Sequence, residues 1–168
     1  RKVKLTLLTN SLAANDEPLV HTGYARYRER LLLSGADLYE LSPQRTSAGE
    51  RFGMFGKSLG RLHSKTAAID RTRIFIGSMN LDPRSASQNT EMGVVVDSPQ
   101  LAREMLRVIN ISKLQNSYRL RLAKDTGTLQ WLTNDGEKEM ILTSEPESGF
   151  FQRFYNMLIA PIVPEMLL

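Results

Sequence analysis

Two extended runs, Leu62 to Ile69 and Arg73 to Gly77, are separated only by Asp70-Arg71-Thr72. So short a connection leaves an antiparallel hairpin as the way to pair them. Side chains alternate along a strand, so His63 and Lys65 point one way and Ser64 the other. The same rule puts Ser78 and Asn80 on one face just past the returning strand. The hairpin therefore draws an imidazole, an ammonium, a hydroxyl and an amide onto one small patch.

Around it, strands and helices alternate, which predicts an α/β fold with a mixed sheet flanked by helices. Val3 to Thr9 reads as a buried strand and Asp37 to Leu41 as a second. Asp16 is placed to cap one helix over Pro18 to Ser34, with Val20, Tyr24, Tyr27 and Leu31 on its inner face and Gly35 ending it. Pro43 to Gly60 reads as a long loop, Glu91 to Val96 as a strand, and Pro99 starts a helix with Leu101, Met105, Val108 and Ser112 on one side. Three short strands follow, at Leu120 to Lys124, Leu129 to Thr133 and Glu139 to Leu142. The 168 residues, 41% apolar and 24% charged, fit one globular domain over 1–168, with the motif region at 62–96 and an extension from about 120 to 168. The chain starts at Arg1, which suggests a piece of a longer or processed protein.

The patch suits a phosphodiester. Its transition state loads negative charge onto the non-bridging oxygens, where Lys65 and the Asn80 amide offer donors. His63 can attack phosphorus as a neutral imidazole or protonate a leaving alkoxide as imidazolium. Either role gains from an acceptor on its other nitrogen, and Glu91 is the candidate. Ser78 is expected to hydrogen-bond within the site, while Asp70, at the turn, reads as structural. Arg45, Arg51, Lys57 and Arg61 flank the long loop, and the three arginines are candidates to steer a phosphate. His21 reads as structural or as a neighbour of the pocket. No cofactor is called for, and no acidic cluster suits magnesium. Without cysteine there is no disulfide or thiolate metal site.

His63-x-Lys65-x4-Asp70 followed by Gly77-Ser78-x-Asn80 resembles the signature of the phospholipase D superfamily, with Glu91 where that family's histidine-orienting carboxylate is expected. The segments Leu8 to Asp16 and Val20 to Arg28 look like the second half of bacterial cardiolipin synthases. The resemblance implies a phospholipase D-like domain that forms one half of a pseudo-twofold enzyme. One histidine forms a phosphohistidine while the other acts as acid and then base. In cardiolipin synthases His63 would take the second half's position, usually assigned the general-acid role, and Gly77 would be a structural part of the motif. The implied activity is a phosphatidyltransferase acting on phosphatidylglycerol- or phosphatidylethanolamine-class lipids. The second half would come from the same longer chain or from a homodimer mate. The implied location is peripheral, at the cytoplasmic face of a bacterial inner membrane.

Two other functions fit the same residues. The net charge of +4 and the single motif allow a metal-independent dimeric nuclease, with nucleic acid as the partner. An inactive half-site that binds membrane or a partner half is the third. The apolar tail from Phe150, with Phe151, Phe154, Met157, Leu158 and Ile159, reads as a helix packed on the domain, or else as a segment lying on a bilayer. No apolar run is long enough to span one.

Overall fold

The computed structural model describes residues 3–15, 18–48, 62–135, 138–159 and 162. In chain order the elements are β1 (Thr6–Asn10), α1 (Pro18–Ala25), α2 (Arg28–Leu33), β2 (Asp37–Leu41), α3 (Pro43–Ala48), β3 (Lys65–Ile69) and β4 (Arg73–Gly77). They continue with α4 (Pro83–Ser87), β5 (Gly93–Asp97), α5 (Pro99–Gln115), β6 (Ser117–Leu122), β7 (Leu129–Asp135), β8 (Lys138–Leu142) and α6 (Phe150–Ile159). They build the expected mixed α/β architecture from two sheets, one ordered β1-β2-β6-β7-β8 and the other β3-β4-β5. β1 and β2 are parallel, with Thr6 opposite Asp37, and α1 and α2 form their crossover. All other strand pairs are antiparallel.

Two apolar clusters hold the sheets. Leu38, Tyr118, Leu120 and Trp131 pack on the large sheet, with Tyr24 and Leu32 from the crossover helices. Ile74 of β4 packs on Ala102 and Met105 of α5. The helix α5 also touches β2 and β6, so it ties the two sheets together. Pro99 occupies its first turn as expected, and Ser98 caps it by accepting from the Leu101 amide at 3.2 Å.

Several expectations need correction. The helix expected over Pro18 to Ser34 is two helices, because the Tyr27 amide bonds to Tyr24 O at 2.9 Å and tightens the turn. Its inner face also differs: Val20 and Tyr27 are exposed, whereas His21 and Arg28 are buried. Gly35, at φ +90°, does end the second helix. Part of the loop expected from Pro43 is α3, and residues 49–61 lie outside the described residues, as does Asp16. The helix α4, capped by the Asp82 side chain on the Ser85 amide at 2.6 Å, was not anticipated. The helix α6 packs on α1 as expected, but through its polar side. Gln152 donates to Leu12 O at 3.2 Å and Asn156 is buried, while Phe150, Phe151, Phe154, Tyr155, Met157 and Leu158 face outward.

The large sheet also buries charge. Leu38 and Glu40 share one face of β2, and each has 0% of its surface exposed. A carboxylate tolerates this only when paired and hydrogen-bonded. The Tyr24 hydroxyl donates to Glu40 Oε1 at 2.9 Å, and the Trp131 indole donates to Oε2 at 2.9 Å. Arg28, 4% exposed, brings Nε to 2.8 Å from Glu40 Oε1 as an ion pair without hydrogen-bond alignment. Its Nη1 and Nη2 donate to the two Glu145 oxygens at 2.5 and 3.3 Å. Burial raises the Glu40 pKa, and the Arg28 charge only partly offsets this. At Glu145 burial also pushes upward, but the adjoining His21 ring and Arg28 outweigh it and bring the pKa down to about 2.

Because Glu145 titrates below its unfolded value of 4.5, its pairing stabilises the fold above that pH and is lost as the pH falls toward 2. The difference is on the order of 3 kcal/mol. Melting curves of the chain and of Glu145→Gln should lie far apart at pH 7 and converge near pH 2. A gap that stays constant across that range would assign the stability elsewhere.

Candidate active site

The register of the small sheet decides which motif residues meet. Lys65 lies opposite Gly77, and Gly77 opposite Gly93. This row is one end of the sheet, so His63 enters it, Ser78 to Asn80 leave it, and Glu91 arrives two residues before Gly93. The turn lies at the other end. Its central residues Asp70 and Arg71 are left-handed, at φ 49° and 60°, and the Thr72 amide closes on Ile69 O at 3.1 Å. Five strand residues at about 3.3 Å each therefore keep Asp70 roughly 16 Å from the Lys65 row. Arg73, at the foot of the turn, pairs with Asp97 at 3.2 Å.

His63 and Asn80 are exposed to solvent. The strand begins at Lys65, so His63 sits on the approach to it rather than within it. Lys65 Nζ donates to the His63 carbonyl at 2.7 Å and lies 3.4 and 3.5 Å from the two ring nitrogens, so the ammonium rests against the imidazole. Ser78 is fully engaged. Its hydroxyl donates to Glu91 Oε2 at 2.5 Å and accepts from the Met92 amide at 3.0 Å, while its own amide donates to Met92 O at 2.9 Å. Asn89 donates to the other Glu91 oxygen at 3.3 Å. The Ser78 hydroxyl above all, then Ser85, Asn89 and the Lys65 charge, holds the Glu91 carboxyl below its ordinary pKa. Glu91 is thus ionised and fixed on Ser78.

Reading the sequence missed two positioning groups. Asn10 donates from Nδ2 to Leu62 O at 2.9 Å and accepts from the Leu62 amide at 2.7 Å. This amide behaves as a short strand partner and anchors the residue before His63 to the end of β1. The available signal was an Asn at a strand end. Asn89, which braces Glu91, had none. Arg45 donates to Asn134 O at 3.0 Å and lies over the Tyr118 ring, on the large sheet. Arg51, Lys57 and Arg61 lie outside the described residues.

A mixed α/β scaffold that gathers a histidine, lysine, serine, asparagine and glutamate at one sheet end is the architecture of a phospholipase D-like domain. The chain belongs to the family described as cardiolipin synthase, PLD-like domain, whose model matches residues 1–111. It is 43% identical over 168 residues to cardiolipin synthase C of Escherichia coli K12, covering 99% of this chain and 35% of that protein. Uncharacterized proteins of two Helicobacter pylori strains, J99 and 26695, are 34% and 33% identical over 161 residues, with 90% of this chain and 29% of each relative covered. The chain thus spans about a third of the length of the curated relatives it matches. No solved structure matches it.

The paired glycines of the row have a packing cause. A Cβ on Gly93 would meet the Phe75 ring at 2.4 Å. One on Gly77 would meet that ring at 2.6 Å and the Met92 carbonyl at 2.9 Å. Phe75 thus lies across both strands and keeps the site's backbone row closely covered. Gly93→Ala should destabilise by about 1–3 kcal/mol, and a second change, Phe75→Leu, should recover part of that loss. Phe75→Leu should not relieve Gly77→Ala, because the obstructing carbonyl remains. Equal rescue of both in denaturant titrations would sink this account.

Proposed function

We propose that the chain is the half of a phosphatidyltransferase that supplies His63, acting on phospholipid phosphodiesters through a phosphohistidine. The observation that carries this reading is the aligned row Lys65–Gly77–Gly93, which collects His63, Lys65, Ser78, Asn80 and Glu91 at one sheet end. In the first step one histidine nitrogen attacks phosphorus, the bond to the leaving alcohol breaks, and the second histidine hands that alkoxide a proton. In the second step the same acid–base histidine takes a proton from the acceptor hydroxyl, which attacks phosphorus and expels the first imidazole. His63 serves as one of the two, and Lys65 and Asn80 meet the charge on the non-bridging oxygens. Glu91, ionised and braced by Ser78 and Asn89, fixes the Ser78 end of the row.

The second histidine comes from another motif-bearing half, in the same longer chain or in a mate. An open sheet face supports this. Lys65, Ala67, Phe75, Gly77 and Val95 share the side of the small sheet opposite Ile74 and α5, and Val95 is 61% exposed there. Association with membrane is peripheral in this reading. Among the described residues no helix is long and apolar enough to cross a bilayer, while the outward aromatic face of α6, with Phe151 84% exposed, suits an interface.

In protein assembled with both motif-bearing halves, His63→Ala should lower lipid product by about 10²-fold or more. The exposed side chain can be lost without unfolding, so circular dichroism should be unchanged. Retained phosphatidyl transfer by that folded variant would overturn the assignment. Separately, Phe151→Ser combined with Phe154→Ser should weaken sedimentation with anionic vesicles by about tenfold. Undiminished binding would remove α6 from the membrane contact.

A further inference from the structure

His63 carries the proposed chemistry, yet no carboxylate among the described residues bonds its ring, because Ser78 and Asn89 claim both oxygens of Glu91. The ring is exposed, and the strand ladder starts only at Lys65, opposite Gly77. Pairing within the small sheet therefore stops short of His63. What holds the residue is its backbone. The Leu62 carbonyl and the His63 amide belong to one planar peptide, and Asn10 Nδ2 donates to that carbonyl at 2.9 Å. On the other side, Lys65 Nζ donates to the His63 carbonyl at 2.7 Å. The peptide planes that meet at the His63 Cα are each held by one side chain, which leaves the torsions of its own side chain as the main freedom.

Asn10 has both the base and the chemistry for this. It is the last residue of β1, an edge strand of the large sheet, and its backbone lies in register with Leu41 of β2. The chain then turns at once into a buried corner. Ser11, Leu12 and Ala14 are each 1% exposed, and the Ala14 amide bonds to Ser11 O at 3.1 Å. From that base the Asn10 side chain accepts from the Leu62 N–H at 2.7 Å while donating to the Leu62 C=O, as a neighbouring strand would. An ionised aspartate only accepts, and a serine hydroxyl has one proton on a shorter stem. An amide of this length answers both backbone groups at once.

We propose that Asn10 is a positioning residue for His63, setting its backbone through Leu62 in place of a carboxylate on the ring. The reaction it serves rests on the phosphatidyl transfer proposed above, whereas the hold rests on the two bonds to Leu62. Those bonds also join the sheets, since they tie the end of β1 to the residue that leads into β3. His63 thus takes its place from the large sheet as well as from the hairpin that carries it. Attack on phosphorus and proton transfer tolerate little error, and a displacement of about 1 Å can cost about 10²-fold in rate.

The test has two arms. In the chain itself, amide hydrogen exchange read by NMR should show Leu62 protected, and Asn10→Ala should speed that exchange about tenfold while Ile74 and Phe75 in β4 stay as they were. In protein assembled with both motif-bearing halves, Asn10→Ala should lower kcat about 10- to 10²-fold and move KM by less than about twofold, because the lost contact never touches the lipid. A merely structural asparagine would instead lower the amount of folded enzyme and leave kcat per folded molecule intact. Asn10→Asp keeps the size but cannot donate to the Leu62 carbonyl, so it should lose kcat as well, and it carries the test where Asn10→Ala does not fold. Leu62 exchange unchanged by Asn10→Ala would overturn the hold, and full kcat in a folded Asn10→Asp would overturn its part in the reaction. Transfer that survives His63→Ala would count against the proposed reaction alone, since the exchange arm decides the hold without it.

Discussion

Arg28 carries a full charge into the large sheet, and the placement of four segments follows from compensating it. Its partners come from α1 (Tyr24 and His21), from β2 (Glu40), from β7 through the Trp131 ring, and from Glu145 beyond β8. The Arg28–Glu145 bond spans 117 residues, so it forms only when the end of the last strand returns to the first crossover. Removing one member of such a set strands a buried charge, at a cost of about 3–5 kcal/mol, although an apolar set of equal volume could be as stable. The network therefore acts on arrangement more than on net stability. Few alternative packings could satisfy Arg28, Glu40 and Glu145 together.

The same network sets up what lies beside it. Glu147, two residues after Glu145, accepts from the Tyr118 hydroxyl at 2.7 Å and from the Gln44 amide at 3.2 Å, so the strap after β8 is sewn to β6 and α3 as well. A strap fixed in this way delivers α6 onto α1, with Gln152, Arg153 and Asn156 facing inward. A cavity between the two helices is a consequence of that delivery. His21 belongs to both the cavity and the charge network, since it lines the one and brings Nε2 to 2.8 Å from Arg28 Nη2 and 3.4 Å from Glu145 Oε1.

What the sequence disclosed follows from distance along the chain. The hairpin and its motif span residues 62 to 80, where a three-residue turn and strict alternation leave little freedom, so the row of His63, Lys65, Ser78 and Asn80 could be drawn before any coordinates. Gly35 and Pro99 were equally plain, because helix ends are marked locally. The inner face of α1 and α2 was not. Apolar periodicity placed Tyr24 on the inner side but also favoured Val20 and Tyr27, whereas that side buries His21 and Arg28, charged and polar residues that burial rules send outward unless partners are known. Those partners, Glu40 and Glu145, lie 12 and 117 residues away from Arg28. The inward polar side of α6 was hidden for the same reason. Around Glu91, the letter was visible but its partner was not. Ser78 and Asn89 claim its oxygens, so the carboxylate expected to hold the histidine is spent on the strand that follows β4.

The two sheets differ in how they are covered, and the difference bears on how a site of this kind is completed. On the large sheet, apolar packing and the ion network together bury the central strand. The small sheet has one close-packed contact, Ile74 against Ala102 and Met105, and its other face carries Lys65, Ala67, Phe75 and Val95 with Val95 open. Phe75 reaches over two glycines, so its ring covers backbone where side chains would otherwise stand. A partly apolar, open face with a histidine and a lysine at its rim is suited to receiving a second surface. It is poorly suited to enclosing the phosphodiester of the proposed reaction alone, because His63 and Asn80 remain in water, where their hydrogen bonds and charges are worth least. Covering that face would do two things together. It would bury Phe75 and Val95, and it would lower the dielectric around His63, Lys65 and Asn80, which is the condition under which those donors can stabilise phosphoryl charge.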